Sequence, residues 1–249
     1  MPRPLRTRFA KDIVTEFLPP ARAGKKNRVI ILCDGMPSVP KKQPMVEWLS
    51  KKGFWVFYPR YRGSWESGGT FLKHSPEKDV LDIIDGLSKP FTSIVDKKKY
   101  RVRADEIFII GGSFGGPAAI LVSRDPRVKK VLAVCPVIDF RKLGKAEPID
   151  WLETFVHEAF GNGYRFGKKE WTKLKTGKFY SPVYHQNKID GSKIFMVHAK
   201  DDDVVGYREV AKFADVAGAR LIMLKKGGHL STFFVLPKYW KQIAKFFKD

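Results

Sequence analysis

The sequence has few cysteines and no long apolar run. Two of its 249 residues are cysteine, Cys33 and Cys135, and each lies in or at the end of an apolar, strand-like run. We therefore expect two buried thiols that act as small apolar side chains; nothing in the sequence requires a disulfide, which favours a reduced, cytoplasmic setting. No window approaches the roughly 18 continuous apolar residues of a membrane-spanning helix. The basic residues 1–8 are not followed by the apolar stretch of a secretory signal.

Acidic residues are scarce relative to basic ones. The chain has 26 Asp and Glu against 47 Lys and Arg, a formal net charge of +21. Such a charge makes nucleic acid or another acidic polymer a candidate partner. The lysines are spread along the chain, however, and neither zinc-finger spacing nor an aromatic RNA-binding signature is present. We therefore predict a lysine-rich solvated surface with no specific nucleic-acid partner, and attraction to acidic polymers only as a secondary property.

Apolar runs of strand length alternate with longer amphipathic stretches. Strands that are apolar throughout and are separated by helices indicate a parallel sheet covered on both faces, in a single domain spanning residues 1–249. The predicted strands are 29–33, 54–58, 107–110, 131–137, 194–198 and 221–224. The predicted helices are 44–52, 76–95, 114–124, 149–160, 208–216 and 237–247.

The alternation is interrupted between residues 138 and 192. This segment is rich in aromatic residues, contains one amphipathic helix and has no obvious strand. An insertion that leaves the carboxyl edge of a parallel sheet lies above the place where such sheets bind ligands. We interpret residues 138–192 as a lid or cap whose Trp151 and Phe155 line a substrate pocket. The alternative is a helical excursion packed on the flank of the domain.

One short motif points to nucleophilic catalysis. Ser113 lies in the sequence Gly111-Gly112-Ser113-Phe114-Gly115, directly after a predicted strand and before a small-residue stretch that suits a helix. Gly-x-Ser-x-Gly between a strand and a helix places the serine on a tight turn with its hydroxyl exposed, and larger side chains at the glycines would clash with neighbouring elements. Ser113 is therefore the candidate nucleophile.

A serine nucleophile needs a base and a carboxylate that orients the base. Among the five histidines, His229 follows two glycines in the loop after a predicted strand, where it can approach another loop closely. Three consecutive aspartates, residues 201–203, follow the preceding strand, and any of them could hold the imidazole. The resulting order Ser, Asp, His is that of α/β-hydrolases rather than of chymotrypsin or subtilisin.

From about Asn27 to its end, the chain resembles α/β-hydrolases. It is similar to stand-alone esterases, including feruloyl-type esterases, that are close to the catalytic domain of prolyl oligopeptidases. Residues 198–206, His-Ala-Lys-Asp-Asp-Asp-Val-Val-Gly, resemble their His-Gly-x-x-Asp-x-x-Val-Pro pattern, and residues 60–69 resemble their Arg-Gly-Ser-x-x-Ser-x-Gly loop. The resemblance implies an α/β-hydrolase fold, with a mostly parallel sheet and helices on both faces. It also implies Asp202 as the catalytic carboxylate, with Asp201 as the alternative.

An oxyanion hole requires two backbone N–H donors. The first is expected from Phe114, which follows the nucleophile at a helix N-terminus. Residues 34–37, Asp-Gly-Met-Pro, occupy the position of the family's His-Gly-Gly-Pro-like segment, which implies the Met36 N–H as the second donor and Gly35 as the alternative. Asp34 stands where the relatives have histidine, and the sequence does not explain this departure. One expectation is that the Asp34 carboxylate turns away and bonds to the backbone of its own loop.

These features predict a serine carboxylic-ester hydrolase that needs no metal or cofactor. Its substrate would be a small-molecule ester with an aryl or short-to-medium acyl group, and feruloyl-type esters are one expectation from the resemblance. A peptidase or a thioesterase would use the same residues. Related oligopeptidases carry a propeller before the catalytic domain, whereas only about 27 residues precede the first clear strand here. We therefore rank the peptidase below the esterase. A binding protein on a hydrolase scaffold is the alternative of a different class. The oligomeric state stays open.

Overall fold

A mixed, mostly parallel sheet forms the centre of the molecule. The structure is a computed structural model that describes residues 3–249. Its eight-stranded sheet has the order β1-β2-β4-β3-β7-β8-β9-β10, and a separate two-stranded sheet pairs β5 with β6. The strands are β1 Leu5–Phe9, β2 Ile13–Leu18, β3 Arg28–Cys33, β4 Phe54–Pro59, β5 Phe91–Thr92, β6 Lys99–Tyr100, β7 Glu106–Gly112, β8 Val128–Val134, β9 Ile194–Ala199 and β10 Arg220–Leu224.

The apolar strands are buried on both faces because helices cover both. In β3, Val29 and Ile31 face one hydrophobic cluster, whereas Ile30 and Leu32 face another on the opposite side of the sheet. Helices α2, α3 and α6 contribute to the first cluster, and α1 and α7 contribute to the second. The helices are α1 Gln43–Lys51, α2 Glu77–Leu87, α3 Gly115–Val122, α4 Ile149–Phe160, α5 Lys168–Lys175, α6 Tyr207–Ala217 and α7 Thr232–Lys248.

The first two strands were not predicted from the sequence. β1 and β2 form an antiparallel hairpin, and β2 continues the sheet by pairing antiparallel with β4. The expectation that the first strand begins near residue 29 is therefore wrong. The turn of this hairpin is tied to the rest of the fold by Asp12, whose carboxylate binds Arg62 at 3.0 Å. Arg62 also binds Asp79 and Asp82, which gives it a structural role in joining the hairpin to α2.

Several predicted boundaries are also wrong. The helix predicted over residues 76–95 ends at Leu87, and Pro90, which lacks an N–H and disfavours continuation of a helix, follows shortly after. β8 ends at Val134 rather than residue 137, because the chain turns at Cys135, whose φ is +43°. The last helix begins at Thr232, where the Ser231 side chain accepts a hydrogen bond from the Phe234 N–H and caps it.

The segment between β8 and β9 contains helices but no strand. Within residues 138–192, α4 has the predicted bounds, and the chain then turns at Gly161, whose φ is +45°. The buried Trp171 donates a hydrogen bond from Nε1 to the Ile149 carbonyl at 3.2 Å, which joins α5 to the start of α4. The Tyr180 hydroxyl donates to the Phe114 carbonyl at 2.8 Å. The segment is thus packed against the turn that carries Ser113.

Among the helices of residues 3–249, none combines the length and the apolar character that crossing a membrane requires.

Candidate active site

The candidate residues lie in loops at one edge of the sheet. β3, β7, β9 and β10 run parallel to one another within the sheet. Their carboxyl ends lead directly to Met36, Ser113, Asp202 and His229 respectively. Parallel strands bring their carboxyl ends to the same edge, and this is where open α/β sheets bind ligands.

Ser113 lies on a strained turn between β7 and α3. Its φ is +51°, a conformation that is uncommon for any residue except glycine. The flanking glycines are required by close approaches: a Cβ at Gly111 would lie 2.2 Å from the Gly115 carbonyl oxygen, and a Cβ at Gly115 would lie 2.2 Å from the Cys33 carbonyl oxygen. The turn is therefore pressed between α3 and the end of β3, as the motif predicted.

His229 is bonded to Asp202. Its Nδ1 lies 2.9 Å from Asp202 Oδ2, and the Asp202 side chain is fully buried whereas that of His229 is 26% exposed. Asp202 Oδ1 accepts hydrogen bonds from the backbone N–H groups of Val204 and Val205. Burial opposes ionisation of Asp202, but the hydrogen bonds from His229 and Val205 outweigh it and hold the pKa of Asp202 below its ordinary value. The carboxylate is therefore charged where the imidazole would need it.

Asp201 points elsewhere and has a different partner. Its Oδ1 accepts a hydrogen bond from the Gly228 N–H at 2.9 Å, which anchors the loop just before His229. Of the two aspartates that the resemblance implied, Asp202 is the one that contacts the imidazole.

Behind Asp202 lies a buried group formed with Cys135 and His198. Potential metal-ligand atoms of these three residues lie within 4.8 Å of one another. Both Asp202 oxygens already accept hydrogen bonds, and His198 Nε2 lies 3.0 Å from the Val205 carbonyl, so Nε2 carries the proton. Burial lowers the pKa of His198, which favours the neutral imidazole. These contacts indicate that His198 helps to hold the loop that carries Asp202.

Ser113 and His229 line the same cavity. Its volume is about 400 Å³, and its lining includes residues 32–38 after β3 and residues 229–232 before α7. Ser113 is partly exposed to this space. Within residues 3–249 no hydrogen bond joins Ser113 to His229. Such bonds are often long without substrate and tighten when it binds.

The two predicted oxyanion donors are free to bind a ligand. In the described part of the chain, neither the Met36 N–H nor the Phe114 N–H has a hydrogen-bond acceptor. Met36 lies on the cavity wall, and Gly35, the alternative donor, lies next to the nucleophile: a Cβ at Gly35 would be 3.5 Å from Ser113 Cβ. The Gly35 N–H, in contrast, donates to Asp34 Oδ1 at 2.9 Å. This difference favours Met36 over Gly35 as the donor.

Asp34 fastens the loop that carries Met36. Its Oδ2 accepts hydrogen bonds from the Ser38 hydroxyl at 2.7 Å and from the Tyr58 hydroxyl. Its Oδ1 also lies 3.2 Å from Lys42 Nζ. The carboxylate is thus engaged by its own loop, by β4 and by a compensating cation. This arrangement accounts for an acidic residue beside a predicted oxyanion hole, where an unpaired negative charge would oppose the chemistry.

Asp34→Ala is expected to lower kcat about tenfold to a hundredfold with a smaller change in KM, because small displacements of catalytic groups have effects of this size. Asp34→Asn keeps one acceptor and should be intermediate. The measurement is steady-state hydrolysis of a p-nitrophenyl ester, accompanied by thermal unfolding to verify the fold. An unchanged kcat in a folded Asp34→Ala variant would show that the loop does not depend on this carboxylate.

The two predicted pocket residues have different positions. Phe155 lines the cavity, whereas Trp151 lies outside the lining and stacks on Phe155, with ring centroids 4.8 Å apart. Sequence reasoning did not find several other lining residues, among them Lys42, Glu147 and Phe160. No motif marks them, because each reaches the cavity through the packing of its segment.

Together, this sheet, the serine on its strained turn and the carboxylate–imidazole pair define the α/β-hydrolase class, and the protein is a serine hydrolase. The chain belongs to the prolyl oligopeptidase family, which it matches over residues 41–238. No curated protein sequence matches the chain significantly.

Solved structures of similar fold include esterases and a peptidase. The Pyrococcus furiosus esterase Pf2001 is 20% identical with a TM-score of 0.69, and the match covers 98% of this chain and 89% of that one. Est1E from Butyrivibrio proteoclasticus is 13% identical, with a TM-score of 0.65 and 100% of both chains covered. The Pyrococcus horikoshii acylaminoacyl peptidase is 19% identical, with a TM-score of 0.65 and coverage of 100% of this chain and 41% of that one. At these identities the likeness shows the fold alone.

Proposed function

We propose that the protein is a carboxylic-ester hydrolase that acts through Ser113, Asp202 and His229 with an acyl-enzyme intermediate. The observation that carries the proposal is the hydrogen bond between Asp202 and His229, which borders the cavity that Ser113 also lines. A buried carboxylate on Nδ1 selects the tautomer in which Nε2 is free to accept a proton.

Each residue then has a defined step. Ser113 Oγ attacks the acyl carbon while its proton passes to His229 Nε2, and Asp202 stabilises the imidazolium that forms. The Met36 and Phe114 N–H groups bind the oxyanion, and the N-terminus of α3 adds a favourable dipole at Phe114. His229 gives the proton to the departing alkoxide. A water molecule, deprotonated by His229, then releases the acyl group as a carboxylic acid and restores Ser113.

The cavity supports a small ester as the substrate. A volume of about 400 Å³ lies within the range of small-ligand sites. Phe155 and Phe160 contribute aromatic side chains to its wall, which suits an aryl or short-to-medium acyl group, including feruloyl-type groups. These two residues belong to the segment 138–192, which we interpret as a lid. Esterases are also among the proteins of similar fold that are matched over most of their own length.

Fluorophosphonate labelling and a substrate series test the proposal. We expect stoichiometric labelling at Ser113 and hydrolysis of p-nitrophenyl esters with an optimum at short or medium acyl length. Methyl ferulate and methyl butyrate compare aryl with alkyl acyl groups. A p-nitroanilide and a thioester with the same acyl group separate esterase from peptidase and thioesterase activity, since the family includes peptidases.

The outcomes distinguish the alternatives. Faster turnover of the anilide than of the ester would assign a peptidase, and preference for the thioester would assign a thioesterase. Absence of both labelling and turnover at every acyl length would favour a non-catalytic binding protein and contradict the proposal.

A further inference from the structure

One charged side chain on the cavity wall, that of Glu147, has no hydrogen-bond or ion-pair partner among residues 3–249. The charged or titratable side chains on the wall include Asp34, Lys42, Glu147 and His229. Asp34 is paired with Lys42, and His229 is paired with Asp202. Glu147 forms no hydrogen bond or ion pair with any residue of the described range 3–249. Its carboxylate is therefore available to a ligand that enters the cavity.

The backbone around Glu147 is held in place. The Gly144 N–H donates to the Val204 carbonyl at 2.7 Å, and the Ala146 N–H donates to the Asp203 carbonyl at 3.2 Å. A Cβ at Gly144 would lie 1.9 Å from the Asp203 carbonyl oxygen, so the two loops are in close contact. Glu147 is consequently fixed to the same loop that positions Asp202.

This attachment places Glu147 near His229. Burial raises the pKa of Glu147, the nearby His229 lowers it, and the carboxylates of Asp202 and Asp203 raise it further, so the net shift is upward. An ionised carboxylate that is partly removed from water without a partner is costly, and a bound cation would compensate that cost. Glu147 and His229 both line the cavity, and the electrostatic interaction between them indicates that they lie near each other.

In the reaction proposed above, His229 protonates the leaving alkoxide, so groups beside His229 adjoin the alcohol part of the ester. We propose that Glu147 is a specificity-determining residue that binds a protonated amine carried by the alcohol part of the substrate. The inference rests on the proposed function and deepens it: the preferred substrates are esters of amino alcohols.

Two esters of matched shape test the inference. 2-(Dimethylamino)ethyl butyrate is protonated at pH 7, and 3-methylbutyl butyrate replaces its nitrogen with carbon. We expect the wild-type kcat/KM to be about tenfold higher for the cationic ester, the effect of one hydrogen bond to a charged group at a partly exposed site. Glu147→Gln should bring the ratio of the two kcat/KM values to about one, and Glu147→Lys should reverse it.

Glu158→Gln is the matched control, because Glu158 lies exposed on α4, outside the cavity lining, and the substitution removes the same charge. It should leave the ratio unchanged, and thermal unfolding verifies that all variants fold. A ratio in Glu147→Gln equal to that of the wild type would overturn the inference while leaving the esterase intact. Absence of hydrolysis of either ester by the wild type, together with absence of labelling at Ser113, would overturn the proposed function itself.

Discussion

Ser113→Ala is expected to lower kcat for a p-nitrophenyl ester by a factor of about 10⁵ to 10⁶, the size of effect seen when the nucleophile of a serine triad is removed. KM should change little, because the methyl side chain of alanine leaves the cavity wall almost unaltered. The residual rate would come from the oxyanion donors and from substrate binding alone. Burst kinetics and fluorophosphonate labelling should disappear together with turnover.

The turn itself makes this variant easy to interpret. Alanine at residue 113 must adopt the same positive φ as serine, and Ser113 Oγ has no hydrogen bond to another described residue that would be lost. Stability should therefore be close to that of the wild type, as measured by thermal unfolding. Ser231→Ala is a useful comparison, because it also removes a hydroxyl from the cavity wall, but this hydroxyl caps the N-terminus of α7. The substitution should reduce the free energy of unfolding by about 1 kcal/mol. Retention of turnover in Ser113→Ala would exclude Ser113 as the nucleophile.

Asp202→Asn is expected to lower kcat by about 10⁴, equivalent to about 5.5 kcal/mol of activation free energy. The reason lies in the donors around the carboxylate. Two backbone N–H groups, from Val204 and Val205, point at Oδ1, so the single oxygen of the asparagine amide will occupy that position. The amide NH₂ then faces His229 Nδ1 as a donor, which forces the proton onto Nε2 and removes the base.

Asp201→Asn is the control for Asp202→Asn, because it makes the same change one residue earlier. The asparagine oxygen can still accept the hydrogen bond from Gly228, so the loop before His229 keeps its anchor. We expect kcat near that of the wild type. Loss of activity in Asp201→Asn alone would assign the role to the neighbouring aspartate.

Local signals in the sequence were sufficient for the central elements. The bounds of α4 are confirmed because an amphipathic stretch ends at glycine, whose positive φ stops the helix. The two cysteines are buried and unpaired, as their apolar surroundings predicted. The mostly parallel sheet followed from strands that are apolar on both faces, which require helices on both sides. β1 and β2 were missed: β1 pairs with β2, and β2 joins the sheet through β4, which is distant in the chain.

The candidate site was only partly accessible to sequence reasoning. Ser113 and His229 could be selected because a motif and the order of loops after parallel strands indicate them. Asp202 was selected among three consecutive aspartates through the resemblance to the family's pattern. The catalytic roles of Ser113, Asp202 and His229 stay a prediction, but Asp202 is the aspartate that contacts His229. Trp151 lies one helical turn before Phe155 and stacks on its ring, but only Phe155 of these two belongs to the cavity wall. The contacts of Asp34 with Tyr58 and Lys42 join segments whose proximity no local pattern encodes.

The sequence by itself determined the class of fold, the turn that carries Ser113 and the loops that carry Asp202 and His229. These features depend on hydrophobic periodicity, on glycine where backbones approach closely, and on the position of each loop after a strand. Only the tertiary structure decided that Asp202 Oδ2 faces His229 Nδ1 and that Lys42 compensates the charge of Asp34. It also decided that Glu147 has no hydrogen-bond or ion-pair partner among the described residues. Those outcomes depend on distances of a few ångströms between segments far apart in the chain, and such distances are set by packing of the whole molecule.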